Sequence, residues 1–191
     1  MKQEETRRKL IDGTIHVIAQ GGLDNATTKQ IGMTTGLNEA YIYRCFSGKE
    51  DLFAKTFISL DKELLDQILS HMPVLYKEEL AWEERCRRYF YGVWDFMIAG
   101  REKCLAYIRY FYSPYFAKNS IEEHTRLYQP VLKAFTTAFL PEADIWMILN
   151  HMLNVIMDFA IKVHIGQLEN KKENSEHVFR VIYRSVEQYF R

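Results

Sequence analysis

The sequence predicts an all-α fold, and three observations support this prediction. Glycine and proline are scarce, with nine and four among 191 residues, so little in the chain interrupts long helices. Apolar residues recur at intervals of three and four over much of the chain, which is the period of an amphipathic helix. No run of alternating apolar and polar residues is long enough to build a sheet. With 48% hydrophobic and 26% charged residues, the composition is that of an ordinary globular protein.

Nine helical segments are predicted, separated by residues that end helices. They cover about residues 4–20, 27–36, 38–46, 49–72, 78–99, 102–113, 121–139, 141–165 and 176–190. Gly22, Gly36 and Gly48 interrupt the pattern in the first fifty residues, because glycine readily takes the conformation that follows a helix. The fourth segment ends before Pro73, since the residue before a proline disfavours the helical conformation.

The starts of several helices are assigned from residues that cap them. Thr27 or Thr28 begins the second helix and Asn38 the third, because their side chains can accept hydrogen bonds from free backbone N–H groups. Pro141 is expected to be the first residue of the eighth helix, a position that needs no N–H donor. Ser175 is expected to cap the last helix.

The two short helices after residue 26 carry the clearest functional signal. Two short helices that are joined by a turn with glycine and packed on a longer helix form a helix-turn-helix. Residues 27–46 read TTKQIGMTTGLNEAYIYRCF and are followed by SGKEDLF. Over about residues 8–53 the chain resembles the tetracycline-repressor (TetR) family of regulators. The matching positions are Gly22, Thr27, Ile31, Gly32, Thr35, Gly36, Leu37, Asn38, Ile42, Tyr43, Phe46, Lys49, Glu50 and Leu52.

This resemblance implies two domains and a mode of action. Residues 1–48 would be the helix-turn-helix DNA-binding domain, and residues 49–191 a helical effector-binding and dimerisation domain. A homodimer would bind a palindromic operator of double-stranded DNA as a repressor, and a small hydrophobic or aromatic effector would release it. In the family the last two helices form the dimer interface, and the apolar faces at 141–165 and 176–190 suit that role.

Contacts with DNA are expected to come from a few placed residues, because the formal net charge is zero. Hydroxyl groups at a helix N-terminus can join backbone N–H groups in binding a phosphate. Tyr43 and Lys49 are expected at the phosphate backbone, and the early residues of the third helix at base edges. Packing alone is the alternative for Tyr43, and a solvated side chain the alternative for Glu39 and Lys49. The candidate residues are Thr27, Thr28, Lys29, Asn38, Glu39, Ala40, Tyr41, Tyr43, Arg44 and Lys49.

Aromatic residues are concentrated where an effector pocket is expected. Thirteen of the 27 aromatic residues lie between positions 76 and 116, which suits either an apolar pocket or a packed core. Polar residues also recur every four positions from Asn150 to Lys162, either inside a pocket or on a solvent-facing strip. The candidate effector-binding residues are Trp94, Tyr107, Tyr110, Phe111 and Asn154.

Catalysis, metal binding and membrane insertion have little support in the sequence. There is no glycine-rich phosphate loop, no GxSxG and no HExxH, and the six histidines and three cysteines are scattered. The charged start MKQEETRRKL is not a signal peptide, and polar residues interrupt the apolar stretch at 145–165. We therefore expect a cytoplasmic protein without cofactor, metal or enzymatic activity. The alternatives are an activator, or a helical small-molecule-binding protein or enzyme that binds no operator.

Overall fold

The computed structural model describes residues 3–191, which form ten α-helices and two short 3₁₀ turns, Met72–Tyr76 and Glu187–Tyr189. The helices are α1 (Gln3–Gly21), α2 (Thr28–Thr35), α3 (Ala40–Cys45), α4 (Lys49–His71), α5 (Trp82–Ala99), α6 (Arg101–Phe111), α7 (Pro114–Asn119), α8 (Ile121–Phe135), α9 (Ile145–His164) and α10 (Lys172–Val186). No β-strand occurs between residues 3 and 191, where Phe139 and Phe190 form one isolated bridge. The all-α prediction is confirmed.

The helices pack as two compact units. The first unit contains residues 3–63 and 102–126, and the second contains residues 64–101 and 127–191. The boundary expected after residue 48 is not a boundary of packing, because the first part of α4 belongs to the first unit. The division at residue 48 therefore stays a prediction about function.

Local capping residues set both ends of α2 and the turn before α3. The Thr27 hydroxyl accepts a hydrogen bond from Gln30 N at 3.1 Å, which caps α2 as expected. Gly36 ends α2 in the left-handed conformation (φ 65°), so its lack of a β-carbon matters here. Asn38 was expected to be the N-cap of the third helix, but α3 starts at Ala40 and its N-cap residue is Glu39, which makes no side-chain capping bond; Asn38 Oδ1 instead accepts from Ala40 N at 2.9 Å in the turn before α3.

Two arginines fix the ends of helices in the first unit. Arg7 of α1 donates to the carbonyl of Cys45, and its guanidinium lies 4.4 Å from the centroid of the Phe46 ring. Arg109 of α6 donates to the carbonyls of Ile18 and Ala19 in the last turn of α1, at 2.6 and 2.9 Å. A cation at a helix C-terminus satisfies carbonyls that lack partners within the helix. These bonds attach α3 and α6 to α1.

Helices α1 and α2 approach closely at Gly13. A β-carbon at residue 13 would overlap Cγ2 of Thr35. Thr35 is buried, and its hydroxyl donates to the carbonyls of Ile31 and Gly32 at 2.8 and 3.2 Å, so its rotamer is fixed. The contact between the two helices therefore depends on glycine at this position.

Gly13→Ala is expected to lower the free energy of unfolding by about 1–2 kcal/mol, because overpacking outweighs the better helix propensity of alanine. Chemical denaturation measures the change. The double variant Gly13→Ala, Thr35→Ser should recover most of the loss, since serine keeps the hydroxyl and lacks Cγ2. A single variant as stable as the original protein would contradict the close approach.

The second unit is built from α5, α9 and α10, which contact one another. Two helix starts that the sequence predicted in this unit are wrong. Helix α9 begins at Ile145 rather than Pro141, because the Asp144 carboxylate accepts from Met147 N at 2.9 Å and caps the helix there. Ser175 lies inside α10, where its hydroxyl donates to the Lys172 carbonyl at 3.0 Å. Helix α7 and the 3₁₀ turns were not expected.

Candidate DNA interface and ligand cavity

Helix α3 has one buried side and one exposed side. Ile42 is fully buried and Phe46 nearly so, and these two apolar side chains attach α3 to the first unit. Asn38, Glu39, Ala40, Tyr43 and Arg44 are exposed, and Tyr41 is half-buried. The predicted contact residues of α3 are therefore brought to one short helix whose outer surface is open to a partner.

Cationic and aromatic side chains are paired on this surface. The Arg44 guanidinium lies 5.2 Å from the centroid of the Tyr41 ring, and Lys49 Nζ lies 5.4 Å from that of Phe53. Tyr43 is 64% exposed, so its ring adds little to the core. The sequence left open whether Tyr43 serves packing alone, and its exposure shows that packing is not its only role.

The N-terminus of α2 is held to the start of α3. The Thr28 hydroxyl donates to Glu39 Oε2 at 2.6 Å, and Thr27 and Lys29 on either side are exposed. Glu39 therefore has a partner inside the protein rather than only solvent. The Thr28 hydroxyl would have to leave Glu39 to donate to a phosphate, whereas the Thr27 hydroxyl accepts from Gln30 N and can still donate its own hydrogen.

Gly32 makes the close approach of α2 to the turn possible. A β-carbon at residue 32 would lie 2.8 Å from the carbonyl oxygen of Leu37 and 3.5 Å from Glu39 Cγ. A backbone oxygen cannot move away easily, so any side chain at residue 32 would clash with it. Sequence reasoning found neither this approach nor the Thr28–Glu39 bond.

Three predicted effector-binding residues meet in the first unit, in a packed aromatic cluster. The rings of Tyr107, Tyr110 and Phe111 lie 4.9, 4.9 and 6.4 Å from that of Phe57, centroid to centroid. Tyr107 and Tyr110 are buried, and the Tyr110 hydroxyl lies 2.9 Å from Ser120 Oγ. Dense packing of this kind is typical of a core.

A buried polar group that sequence reasoning missed lies within this cluster. Asp61 of α4 is fully buried, and its carboxylate accepts a hydrogen bond from the Tyr107 hydroxyl at 3.1 Å. His124 Nδ1 of α8 lies 2.8 Å from the other carboxylate oxygen, and His124 is also buried. A buried carboxylate needs such partners, because removal from water is costly. Asp61 and His124 are 63 positions apart, so no local pattern could have joined them.

The remaining two predicted effector-binding residues lie in the second unit. Trp94 is buried and stacks on Phe90 with ring centroids 5.6 Å apart, whereas Asn154 is exposed on α9. The five predicted residues are therefore divided between the two units.

An apolar cavity lies in the second unit and is partly open to solvent. Its lining residues come from α5, α8, α9, α10 and the neighbouring turns. They are Leu75, Trp82, Cys86, Tyr89, Phe90, Val93, Phe135, Ala138, Phe139, Met152, Ile156, Phe179, Ile182, Tyr183, Val186 and Phe190. No acidic or basic side chain is among them. The cavity therefore suits an uncharged apolar ligand.

The ionisable side chains of this lining stay neutral. Burial raises the pKa of the Cys86 thiol to about 12, which makes it a poor nucleophile at neutral pH. Burial likewise raises the pKa of Tyr89 above its usual range. Between residues 3 and 191, no group of three or more His, Cys, Asp or Glu side chains could hold a metal ion.

Helix α9 exposes more apolar surface than a core helix does. By length and composition it is the one helix among residues 3–191 that could cross a membrane. Only 28% of the residues in its most apolar 18-residue stretch are buried. It contacts α5 and α10, and its Asp158 and Lys162 form an ion pair at 2.5 Å. Met147 of α9 and Val181 of α10 are 67% and 54% exposed. Helices α9 and α10 therefore both carry exposed apolar residues.

The fold and the first of these sites define a helix-turn-helix protein with a helical second unit. Residues 10–56 match the family described as bacterial regulatory proteins, tetR family. A fatty acid metabolism regulator protein of Bacillus subtilis (strain 168) is 31% identical over 86 residues, which are 44% of this chain and 42% of that protein. The match thus spans less than half of that regulator.

Solved structures share the fold over nearly the whole chain. A TetR family transcription regulator from Marinobacter aquaeolei VT8 is 18% identical with a TM-score of 0.72, and covers 96% of this chain and 97% of its own. The fatty acid degradation regulator FadR from Bacillus halodurans is 18% identical with a TM-score of 0.73, over 95% and 96% of the two chains. Residues 10–56 of this chain thus match the tetR family of bacterial regulatory proteins, and the whole chain shares the fold of these solved structures.

Proposed function

We propose that this chain is a cytoplasmic, homodimeric transcription repressor, which binds a palindromic operator and releases it when a small apolar effector binds. The observation that carries the proposal is the exposed side of α3, where polar and cationic side chains stand on a helix anchored by Ile42 and Phe46. Residues 1–48 would bind DNA, and residues 49–191 would bind the effector and dimerise. The match of residues 10–56 to the tetR family supports the first assignment, and the fold shared with a solved TetR family regulator supports the second.

In this proposal the contact residues divide into two groups. Tyr43 and Lys49, together with Thr27, Thr28 and Lys29 at the start of α2, would hold phosphates and fix the orientation of α3. The exposed residues Asn38, Glu39, Ala40 and Arg44, with Tyr41, would meet base edges in the major groove. The cation–π contact of Arg44 with Tyr41 supports this, because it restricts the guanidinium before DNA binds.

The apolar cavity of the second unit is the effector site in this proposal. Its lining without acidic or basic side chains supports a hydrophobic compound, and the similarity to a fatty acid metabolism regulator supports one derived from a fatty acid. The same ligand assays can test the sequence-based prediction that the effector contacts Trp94, Tyr107, Tyr110, Phe111 and Asn154. A second copy of the chain, rather than a membrane, would cover α9 and α10, because α9 carries an ion pair and exposed polar residues along its length.

Operator binding tests the proposal directly. We expect the purified protein to bind a palindromic fragment from upstream of its own or a neighbouring gene, with affinity that falls steeply as salt rises. Arg44→Ala should cost about 1–3 kcal/mol and relax the base preference, whereas Lys49→Ala and Tyr43→Phe should weaken binding to all sequences alike. Fluorescence anisotropy at several salt concentrations measures both effects.

Arg126→Ala is the matched control, because it removes an equally exposed arginine that lies outside the helix-turn-helix. It should leave operator affinity unchanged within a factor of about two, as an uninvolved surface substitution does. If no fragment from the genomic neighbourhood is bound more tightly than unrelated DNA, the regulator assignment fails.

A further inference from the structure

Trp82, a lining residue of the cavity in the second unit, carries a buried polar group without a hydrogen-bond partner. Trp82, the first residue of α5, lines the cavity, and its indole Nε1 is buried without a hydrogen-bond acceptor. Buried N–H groups nearly always have an acceptor, because an unsatisfied one forfeits its hydrogen bond with water. Such a donor at an apolar cavity indicates that something which enters the cavity supplies the acceptor.

The surroundings of Trp82 restrict what that acceptor can be. The Phe190 ring stands edge-on to the indole, with centroids 5.2 Å apart, and Phe139 lies 5.2 Å from Phe190. No cationic side chain lines the cavity, and burial keeps the neighbouring Cys86 thiol neutral. A carboxylate would meet no counter-charge among the lining side chains, which is costly in an apolar site, because Arg85 and Arg191 donate to the backbone carbonyls of Leu75 and Phe139 instead. The acceptor is therefore an uncharged oxygen.

We propose that the Trp82 indole N–H is the polar anchor of this site and donates to the carbonyl oxygen of an uncharged acyl compound whose aliphatic chain fills the cavity. An ester, thioester or amide carbonyl provides an acceptor without a charge. The indole is the directional contact, and the apolar lining supplies the remaining binding free energy. The inference rests on the proposed function, because it takes this cavity as the effector site.

Methyl octanoate and octane are the probes that test the anchor. Both can fill an apolar cavity, and only the ester carries a carbonyl. Trp82→Phe, which keeps an aromatic ring and removes the N–H, should weaken the binding of methyl octanoate about three- to tenfold, the range of one neutral hydrogen bond. Octane should bind the variant and the original protein with equal affinity. Calorimetry or ligand-induced shifts in melting temperature measure these ratios.

A spectroscopic measurement on the unmodified protein does not depend on how the variant folds. The indole N–H resonance of Trp82 is identified by its loss in Trp82→Phe, among the three tryptophans of the chain. It should move downfield when methyl octanoate binds and move little with octane. Trp146→Phe is the matched control, because Trp146 does not line the cavity, and it should bind the ester as tightly as the original protein.

The outcomes separate this inference from the proposed function. Equal ester affinity of Trp82→Phe and the original protein, or an unshifted Trp82 resonance in the ester complex, overturns the anchor even if operator binding is intact. Failure of methyl octanoate to bind also overturns it. If the ester binds through Trp82 but no operator is found, the anchor stands and the regulator assignment fails.

Discussion

Asp61→Ala is expected to lower the free energy of unfolding by about 3–5 kcal/mol, because it leaves two buried hydrogen-bonding partners of the carboxylate unsatisfied. Asp61 is fully buried and accepts from Tyr107, while His124 lies 2.8 Å from its second oxygen. Alanine would remove the acceptor for both and leave a space between α4, α6 and α8 within the first unit. Urea denaturation measures the loss, and reduced helical content at 37 °C would accompany it.

Two control variants show whether the loss of stability comes from the buried Asp61–His124 contact or from any substitution in α4. Asp66→Ala removes an exposed carboxylate from the same helix and should change stability by less than about 0.5 kcal/mol. Tyr107→Phe removes one hydrogen bond to Asp61 and should cost about 1 kcal/mol. If Asp61→Ala lowers the free energy of unfolding no more than Tyr107→Phe does, the Asp61 carboxylate does not stabilise this cluster as expected.

Val181→Arg is expected to convert the proposed dimer into a folded monomer and to weaken operator binding by about 100-fold or more. Val181 is half exposed on α10, and an arginine there would place a charge in the apolar surface that the second copy covers. The loss of affinity follows because two linked half-site contacts gain roughly 10²–10⁴ in affinity over one. Sedimentation velocity measures the assembly state, and fluorescence anisotropy measures operator affinity.

Substitutions at two other apolar residues show whether the effect is specific to this surface. Tyr112→Arg changes an exposed aromatic residue in the first unit and should leave both assembly and operator affinity unchanged. Ile182→Arg, at the adjacent position, should instead destabilise the protomer, because Ile182 is buried and lines the cavity. A Val181→Arg protein that remains a dimer at micromolar concentration would show that α10 does not form the interface.

The sequence by itself determined the helix-turn-helix and the all-α class, because both depend on interactions between near neighbours in the chain. The Thr27 cap and the left-handed Gly36 use bonds that span three or four residues, so residue type and spacing predict them. The same kind of reasoning was wrong at Pro141 and Ser175. Asp144 offered a competing cap, and a serine inside a helix can bond to the preceding turn.

Only the tertiary structure decided which side chains meet across helices. It joined Asp61 to His124, linked Thr28 to Glu39, and buried Trp94 while it left Asn154 exposed. It also placed the cavity between residues as distant in the chain as Leu75 and Phe190, with Trp82, whose buried N–H has no partner, among the lining residues. The physical reason is that burial and hydrogen-bond partners depend on how helix faces pack. An amphipathic pattern indicates which face is apolar, but not which face of another helix it meets.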